Sequence, residues 1–106
     1  MAKEHRYMGH MRAALQLGIA LTEAKILSFL LENIEFFDDK SAPIFCTITG
    51  ITRHMKITRE SAYIALRKLQ KRGWIEVKKE SWKCRTIRLT EKFFDDTKVD
   101  HVFTIM

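Results

Sequence analysis

The sequence has few of the features that mark membrane, secreted or disulfide-stabilised proteins. Its 106 residues include no apolar run long enough to cross a bilayer. The polar N-terminus, residues 1–10, has no apolar stretch, so we predict no secretion signal and a cytoplasmic location. The two cysteines, Cys46 and Cys84, lie far apart in sequence, which argues against a disulfide scaffold. We expect reduced thiols, while a single bridge between the two stays open.

Signatures of catalysis and of metal binding are missing as well. There is no Gly-rich phosphate loop and no nucleophile elbow. The acidic pairs Asp38-Asp39 and Asp95-Asp96 are adjacent residues whose side chains diverge, so neither makes a useful catalytic pair of carboxylates. The four histidines share no metal-ligand spacing with either cysteine. We therefore expect no enzymatic activity, no metal and no cofactor.

The feature that stands out instead is an uneven distribution of charge. The segment from Arg53 to Arg88 holds 12 basic and 3 acidic residues, a net charge of +9. The rest of the chain holds seven basic and ten acidic residues, a net charge of −3, which gives the total of +6. Positive charge concentrated in one segment indicates a polyanionic partner, most often nucleic acid.

Apolar periodicity and turn residues predict a mainly α chain with a small β-hairpin, an α+β fold. The predicted elements are, in order, helices 4–17 and 22–37, a short strand 44–46, helices 48–55 and 59–72, strands 74–79 and 84–89, and a C-terminal element after Thr90. For that last element a helix is favoured, although "HVFTIM" at the end of the chain also suits a strand.

Capping residues and apolar stripes give these helices their predicted ends and faces. The first helix is expected to turn Met8, Met11 and Leu15 inward. The second is expected to begin at Thr22 as N-cap, with Leu21 packed against Ile26. The other predicted caps are Thr47 and Thr58 at helix starts, and Gly18 and Gly73 at helix ends.

Two segments resemble a known DNA-binding fold. "ITRESAYIALRKLQKRGWIEV", residues 57–77, and "RTIRLTEKFF", residues 85–94, are similar to the winged helix-turn-helix domain of bacterial and archaeal MarR and GntR-type regulators. Lys56 stands where that family has a turn glycine, Thr52 where it has alanine, and Trp74 where it has a smaller apolar residue. The resemblance implies a winged helix-turn-helix over residues 21–90, flanked by an N-terminal helix in 1–20 and a C-terminal element in 91–106, both candidates for dimerisation.

In a winged helix the helix that follows Thr58 enters the DNA major groove. Arg59 suits a guanine edge, Glu60 a cytosine amine, and Ser61 either kind of edge. The expected DNA contacts from this helix are Thr58, Arg59, Glu60, Ser61, Tyr63, Arg67, Lys68 and Lys71. The hairpin is expected to follow the backbone or enter the minor groove through Lys78, Lys79, Lys83 and Arg85. Arg53 and Lys56 complete the predicted surface.

The sequence thus predicts a sequence-specific double-stranded DNA-binding protein, a small homodimeric transcriptional regulator. No separate effector-binding domain is evident, so we expect no small-molecule effector. Two alternatives stay open. The winged helix could be a protein-interaction adaptor, or it could belong to a plasmid or virus replication or copy-control protein.

Overall fold

The computed structural model describes residues 8–39, 42–81 and 84–98. Within these ranges five helices and three strands follow one another as α1 (Met8–Gln16), α2 (Leu21–Phe37), β1 (Ile44–Thr47), α3 (Ile48–Met55), α4 (Arg59–Lys71), β2 (Ile75–Lys79), β3 (Cys84–Leu89) and α5 (Glu91–Asp96). The predicted α+β class, mainly helical with a small sheet, is confirmed. In the part of the chain that the structure describes, no helix is both long and apolar enough to cross a membrane.

The sheet is antiparallel, and its central strand is β3. Val77 of the hairpin and Ile44 of β1 both lie opposite Ile87, so these three apolar side chains meet on the face that packs against the helices. Because β1 joins the hairpin, the two cysteines lie on neighbouring strands. Cys46 pairs with Arg85 rather than with Cys84, and both thiols are free.

The core lies between the helices and the inner face of the sheet. Its two main contributors are the apolar stripes expected from helical spacing. Buried on α2 are Ile26, Leu27, Leu30, Leu31 and Ile34, and buried on α4 are Ala62, Ala65, Leu66 and Leu69. The small residues of α4 let it approach α2 closely. This packing fixes the rotation of α4 and therefore decides which of its side chains face outward.

The predicted N-cap of α2 is wrong by two residues. The helix begins at Leu21 with Ala20, not Thr22, at the N-cap position. Ala20 has no side-chain acceptor of its own, and its backbone N–H instead donates to the carboxylate of Glu23 at 3.2 Å. Leu21 is 71% exposed, so the expected packing against Ile26 does not form. The buried carboxylate decides the start of the helix because it also accepts from Arg72.

The first helix turns a different face inward from the one predicted. Ala14 is fully buried and Met11 packs against the core, whereas Leu15 is 51% exposed. The inward stripe therefore follows the three-residue spacing of Met11 and Ala14, because the small alanine allows close contact with α2. The side chain of Met8, which was expected on the same face, lies outside the described part, as do residues 1–7.

The remaining caps agree with the sequence. Thr47 accepts from the N–H of Gly50, and Thr90 caps α5 through the N–H of Phe93. Gly18 and Gly73 adopt the left-handed backbone, with φ of 82° and 79°, that a helix end of this kind requires. The predicted extension of the C-terminal element, residues 99–106, lies outside the described residues.

Candidate nucleic-acid interface

The outward face of α4 carries two rows of side chains. One row, at successive intervals of four residues, contains Arg59, Tyr63, Arg67 and Lys71. The neighbouring row contains Glu60, Ile64 and Lys68. Ile64 is 39% exposed and stands among these polar residues. The 13-residue helix is about 20 Å long, so its outward face offers a strip of positive charge with one apolar side chain near its middle.

The N-terminus of α4 is closed by two hydroxyl groups that the sequence assigned to DNA. Thr58 is the N-cap and accepts from the N–H of Ser61 at 3.1 Å. Its hydroxyl then donates to the side-chain oxygen of Ser61 at 2.8 Å. Both side chains therefore belong to the cap, which leaves the charged side chains of the first turn, Arg59 and Glu60, exposed beside it.

Helix and hairpin meet at Tyr63. The guanidinium of Arg85, on β3, lies over the Tyr63 ring, with its Cζ atom 5.4 Å from the ring centroid. Arg59 lies one helical turn before Tyr63 on the same helix. Interaction with Arg59, and to a lesser extent with the charge of Arg85, lowers the pKa of Tyr63 below its ordinary value. One aromatic side chain thus neighbours an arginine from each of the two basic elements.

The hairpin adds two further lysines. Lys79 pairs with Arg85 in the sheet register, and Lys78 pairs with Thr86. Successive side chains of a strand alternate between faces, so Lys79 shares the face of Arg85 and Lys78 lies on the other. The acidic neighbour Glu80 is engaged on that other face, where it accepts from the hydroxyl of Thr86. The predicted contact Lys83 lies outside the described residues.

The turn between α3 and α4 supplies the last predicted cations. Arg53 is exposed in the final turn of α3. Lys56 ends that helix in the left-handed conformation, with φ of 56°, and is also exposed. His54, between them, packs against the ring of Phe29 at a centroid distance of 5.5 Å. The backbone therefore accepts at Lys56 a conformation that suits glycine better.

Not all predicted residues lie together. Lys68 and Lys71 border a surface depression of about 400 Å³ at the C-terminal half of α4, where Gly18 and Ala20 also lie. The junction at Tyr63 belongs to the N-terminal half of the helix. The predicted set is therefore divided between a cluster where helix and hairpin meet and a second group farther along α4.

Two arginines of the basic segment are paired inside the molecule. Arg72 donates from Nε to the buried Glu23 at 3.1 Å, and Arg88 forms an ion pair with Glu76 across the hairpin. Neither was among the predicted contacts. Among the described residues, none of the predicted cations takes part in an ion pair.

Sequence reasoning missed the contact between Tyr63 and Arg85, since the pairing of residues 22 positions apart depends on how the hairpin folds over α4. The helical spacing does place Ile64 on the outward side of α4, but this residue was not among the predicted DNA contacts. Both features follow from the rotation of α4, which the buried alanines decide.

Other chemistry finds little support in this part of the chain. In residues 8–39, 42–81 and 84–98, no three His, Cys, Asp or Glu side chains are grouped as metal ligands would be. Burial and the neighbouring Cys84 raise the pKa of Cys46 to about 11, so this thiol stays protonated at neutral pH. No protein-family model and no curated protein matches the chain. The function is therefore inferred from the interface itself.

Proposed function

We propose that this protein binds double-stranded DNA through α4 and the β2–β3 hairpin, as a small winged-helix transcriptional regulator. One observation carries the proposal. The exposed cations of these two elements form no ion pair among the described residues, whereas Arg72 and Arg88 each have a carboxylate partner. Positive charge left uncompensated where α4 and the hairpin meet is what binding to a phosphate backbone uses, since each phosphate contact releases a condensed counterion.

The dimensions of α4 suit this role. An α-helix with its side chains is about 10–12 Å wide, and the major groove of B-DNA is about 12 Å wide. A face made of Glu60, Ile64 and Arg67 offers an acceptor, an apolar group and a forked donor, the three kinds of group that distinguish base edges. Glu60 repels phosphate, and we place it at a base rather than at the backbone.

A charge-matched pair of variants tests the proposal. Arg67→Ala removes one charge from the outward face of α4, and Arg88→Ala removes one charge from an arginine already paired with Glu76. Binding to a duplex selected from a random pool is measured by fluorescence anisotropy over a range of salt concentrations. We expect Arg67→Ala to weaken binding by about 10-fold, and Arg88→Ala to leave it nearly unchanged.

Two outcomes contradict the proposal. If no duplex from the pool binds, the protein is not a DNA-binding protein. If both variants weaken binding equally, the net charge of the protein and not this surface governs the interaction. Lys79→Ala serves as a second surface variant, for which the slope of log K against log salt should fall by about one.

We further propose that the regulator is a homodimer. Leu15, Leu17 and Leu21 are 51%, 54% and 71% exposed around the connection between α1 and α2, an apolar group that a second copy would cover. Two recognition helices would then meet half-sites about 34 Å apart. Sedimentation equilibrium at micromolar concentration tests the assembly, and an inverted repeat enriched from the random pool tests its symmetry. A monomer that selects a single half-site contradicts this part.

A role as a protein-interaction adaptor is the second candidate. Phe45, at the outer edge of the sheet, is 70% exposed and borders a groove of about 430 Å³ with Ile34, Pro43 and Ile44. An aromatic side chain beside an apolar groove is typical of a protein-binding surface. The adaptor hypothesis predicts that Phe45→Ser abolishes capture of a partner protein and leaves DNA binding unchanged. The DNA hypothesis predicts that Arg67→Ala weakens DNA binding and leaves capture of a partner protein unchanged.

A further inference from the structure

The junction at Tyr63 brings together two arginines that are far apart in sequence. Arg59 lies in the first turn of α4, and Arg85 lies on the central strand β3. The Arg85 guanidinium lies over the Tyr63 ring, 5.4 Å from the ring centroid, and Arg59 lies one helical turn before Tyr63. Two positive groups that would repel each other thus flank one aromatic side chain.

Nothing in the described part of the chain compensates this pair of charges. Neither Arg59 nor Arg85 takes part in an ion pair there. The charged groups that act on the Tyr63 phenol are these two arginines alone. A site with two cations and no anion favours the entry of an anion from outside the chain.

The donors at this site match a phosphate group. A guanidinium presents a planar fork of N–H donors that suits two phosphate oxygens at once. The Tyr63 hydroxyl is a further donor beside the two arginines. Two guanidinium forks and one hydroxyl in the same neighbourhood suit an acceptor with several oxygens better than they suit a base edge, which accepts one fork.

We propose that Arg59 and Arg85 bind the same phosphate of the DNA backbone, with Tyr63 as the positioning residue that holds both. This inference rests on the proposed function. It revises the role expected for Arg59, which becomes a backbone contact and not a reader of guanine. Because the shared phosphate bridges α4 and the hairpin, it sets the register of both elements on the duplex at a single point.

Neutral phosphates test the shared site directly. In the selected duplex each phosphate near the interface is replaced, one at a time, by an uncharged methylphosphonate, and binding is measured by fluorescence anisotropy. For the unmodified protein we expect one position at which the replacement weakens binding by about 10-fold. For Arg59→Ala and for Arg85→Ala, replacing the phosphate at that same position should no longer weaken binding. The double variant should lose less affinity for the unmodified duplex than the product of the two single losses.

Arg67→Ala is the matched control, because it removes an exposed arginine from the same helix row without touching Tyr63. It should keep full sensitivity at the shared position. Tyr63→Phe keeps the ring under Arg85 and removes the oxygen, so it should reduce the sensitivity at that position while thermal unfolding stays unchanged. Arg85→Gln replaces Arg85→Ala if the alanine variant unfolds.

The outcomes separate the two proposals. Failure of the unmodified protein to bind any duplex refutes both DNA binding and the shared phosphate. Binding in which Arg59→Ala and Arg85→Ala lose sensitivity at different phosphates, or in which their effects multiply, refutes only the shared site. If Arg59→Ala relaxes the preference for particular bases and keeps its sensitivity to phosphate replacement, the shared site is also refuted, and Arg59 contacts a base edge instead.

Discussion

The stability of the fold should depend strongly on one buried carboxylate, that of Glu23. This side chain is 2% exposed and makes two contacts at the start of α2. It accepts from the backbone N–H of Ala20 at 3.2 Å and from Nε of Arg72 at 3.1 Å. The first contact closes the helix N-terminus, and the second joins α2 to the end of α4.

The two contacts can be separated by substitution. Glu23→Gln keeps an acceptor for Ala20 and removes the charge opposite Arg72. A hydrogen bond between charged groups contributes about 1.5–3 kcal/mol. Arg72 is 37% exposed and partly hydrated, so we lower this figure to about 1–2 kcal/mol. Glu23→Ala also loses the cap, about 1 kcal/mol, and buried side-chain contacts of similar size, which brings the total to about 3–4 kcal/mol.

Urea unfolding followed by far-UV circular dichroism measures both variants. The control is Glu32→Ala, which removes an exposed carboxylate from the same helix and should change the free energy of unfolding by less than about 0.5 kcal/mol. A double-mutant cycle with Arg72→Met should give a coupling energy of about 1 kcal/mol. The reasoning is refuted if Glu23→Ala unfolds at the same urea concentration as Glu32→Ala, or if the cycle shows no coupling.

Three further results are expected. Lys56→Gly should stabilise the protein by about 0.5–1 kcal/mol, because Lys56 has a φ of 56°, which glycine adopts without strain. Asp38→Gly should stabilise the protein less, because aspartate tolerates its φ of 57° better than lysine does, and thermal unfolding measures both variants. In a Cys84→Ser background, burial still raises the pKa of Cys46 above its ordinary value, so Cys46 should react slowly with iodoacetamide at pH 8 and faster toward pH 11, as followed by mass spectrometry. Leu69→Ala should cost about 2–5 kcal/mol in urea unfolding, since this side chain is fully buried.

Local signals in the sequence were sufficient for most of the fold. The stripes of α2 and α4 follow from spacing alone, and the caps at Thr47 and Thr58 follow from hydroxyl groups placed just before apolar runs. The start of α2 could not be predicted from local signals. Thr22 is the better N-cap by residue type, but Glu23 is held by Arg72, 49 residues away, and local residue preferences do not predict so distant a contact.

The candidate interface was harder to predict for the same reason. Sequence marks a basic segment but does not separate Arg67, which is exposed without an ion-pair partner among the described residues, from Arg88, which is paired. The pairing of Arg88 with Glu76 depends on the hairpin register, in which these two residues are opposite each other. The junction at Tyr63 likewise requires the position of β3 over α4.

The end of α4 shows how the outward face of this helix is held in place. Trp74, just beyond the helix, is 2% exposed and donates from Nε1 to Asp96 of α5 at 2.8 Å. The guanidinium of Arg72 lies 5.3 Å from the Trp74 ring centroid while it pairs with Glu23 of α2. The C-terminal end of α4 is therefore tied to two other helices.

The middle of α4 is tied to the hairpin through Tyr63 and Arg85. A helix held both at its end and near its middle presents its outward side chains in one orientation. If a duplex binds there, little ordering of the backbone accompanies binding, and the loss of conformational entropy that weakens flexible binders is reduced. If Arg59 and Arg85 bind one phosphate, this contact between α4 and the hairpin lets that phosphate set the register of both elements together.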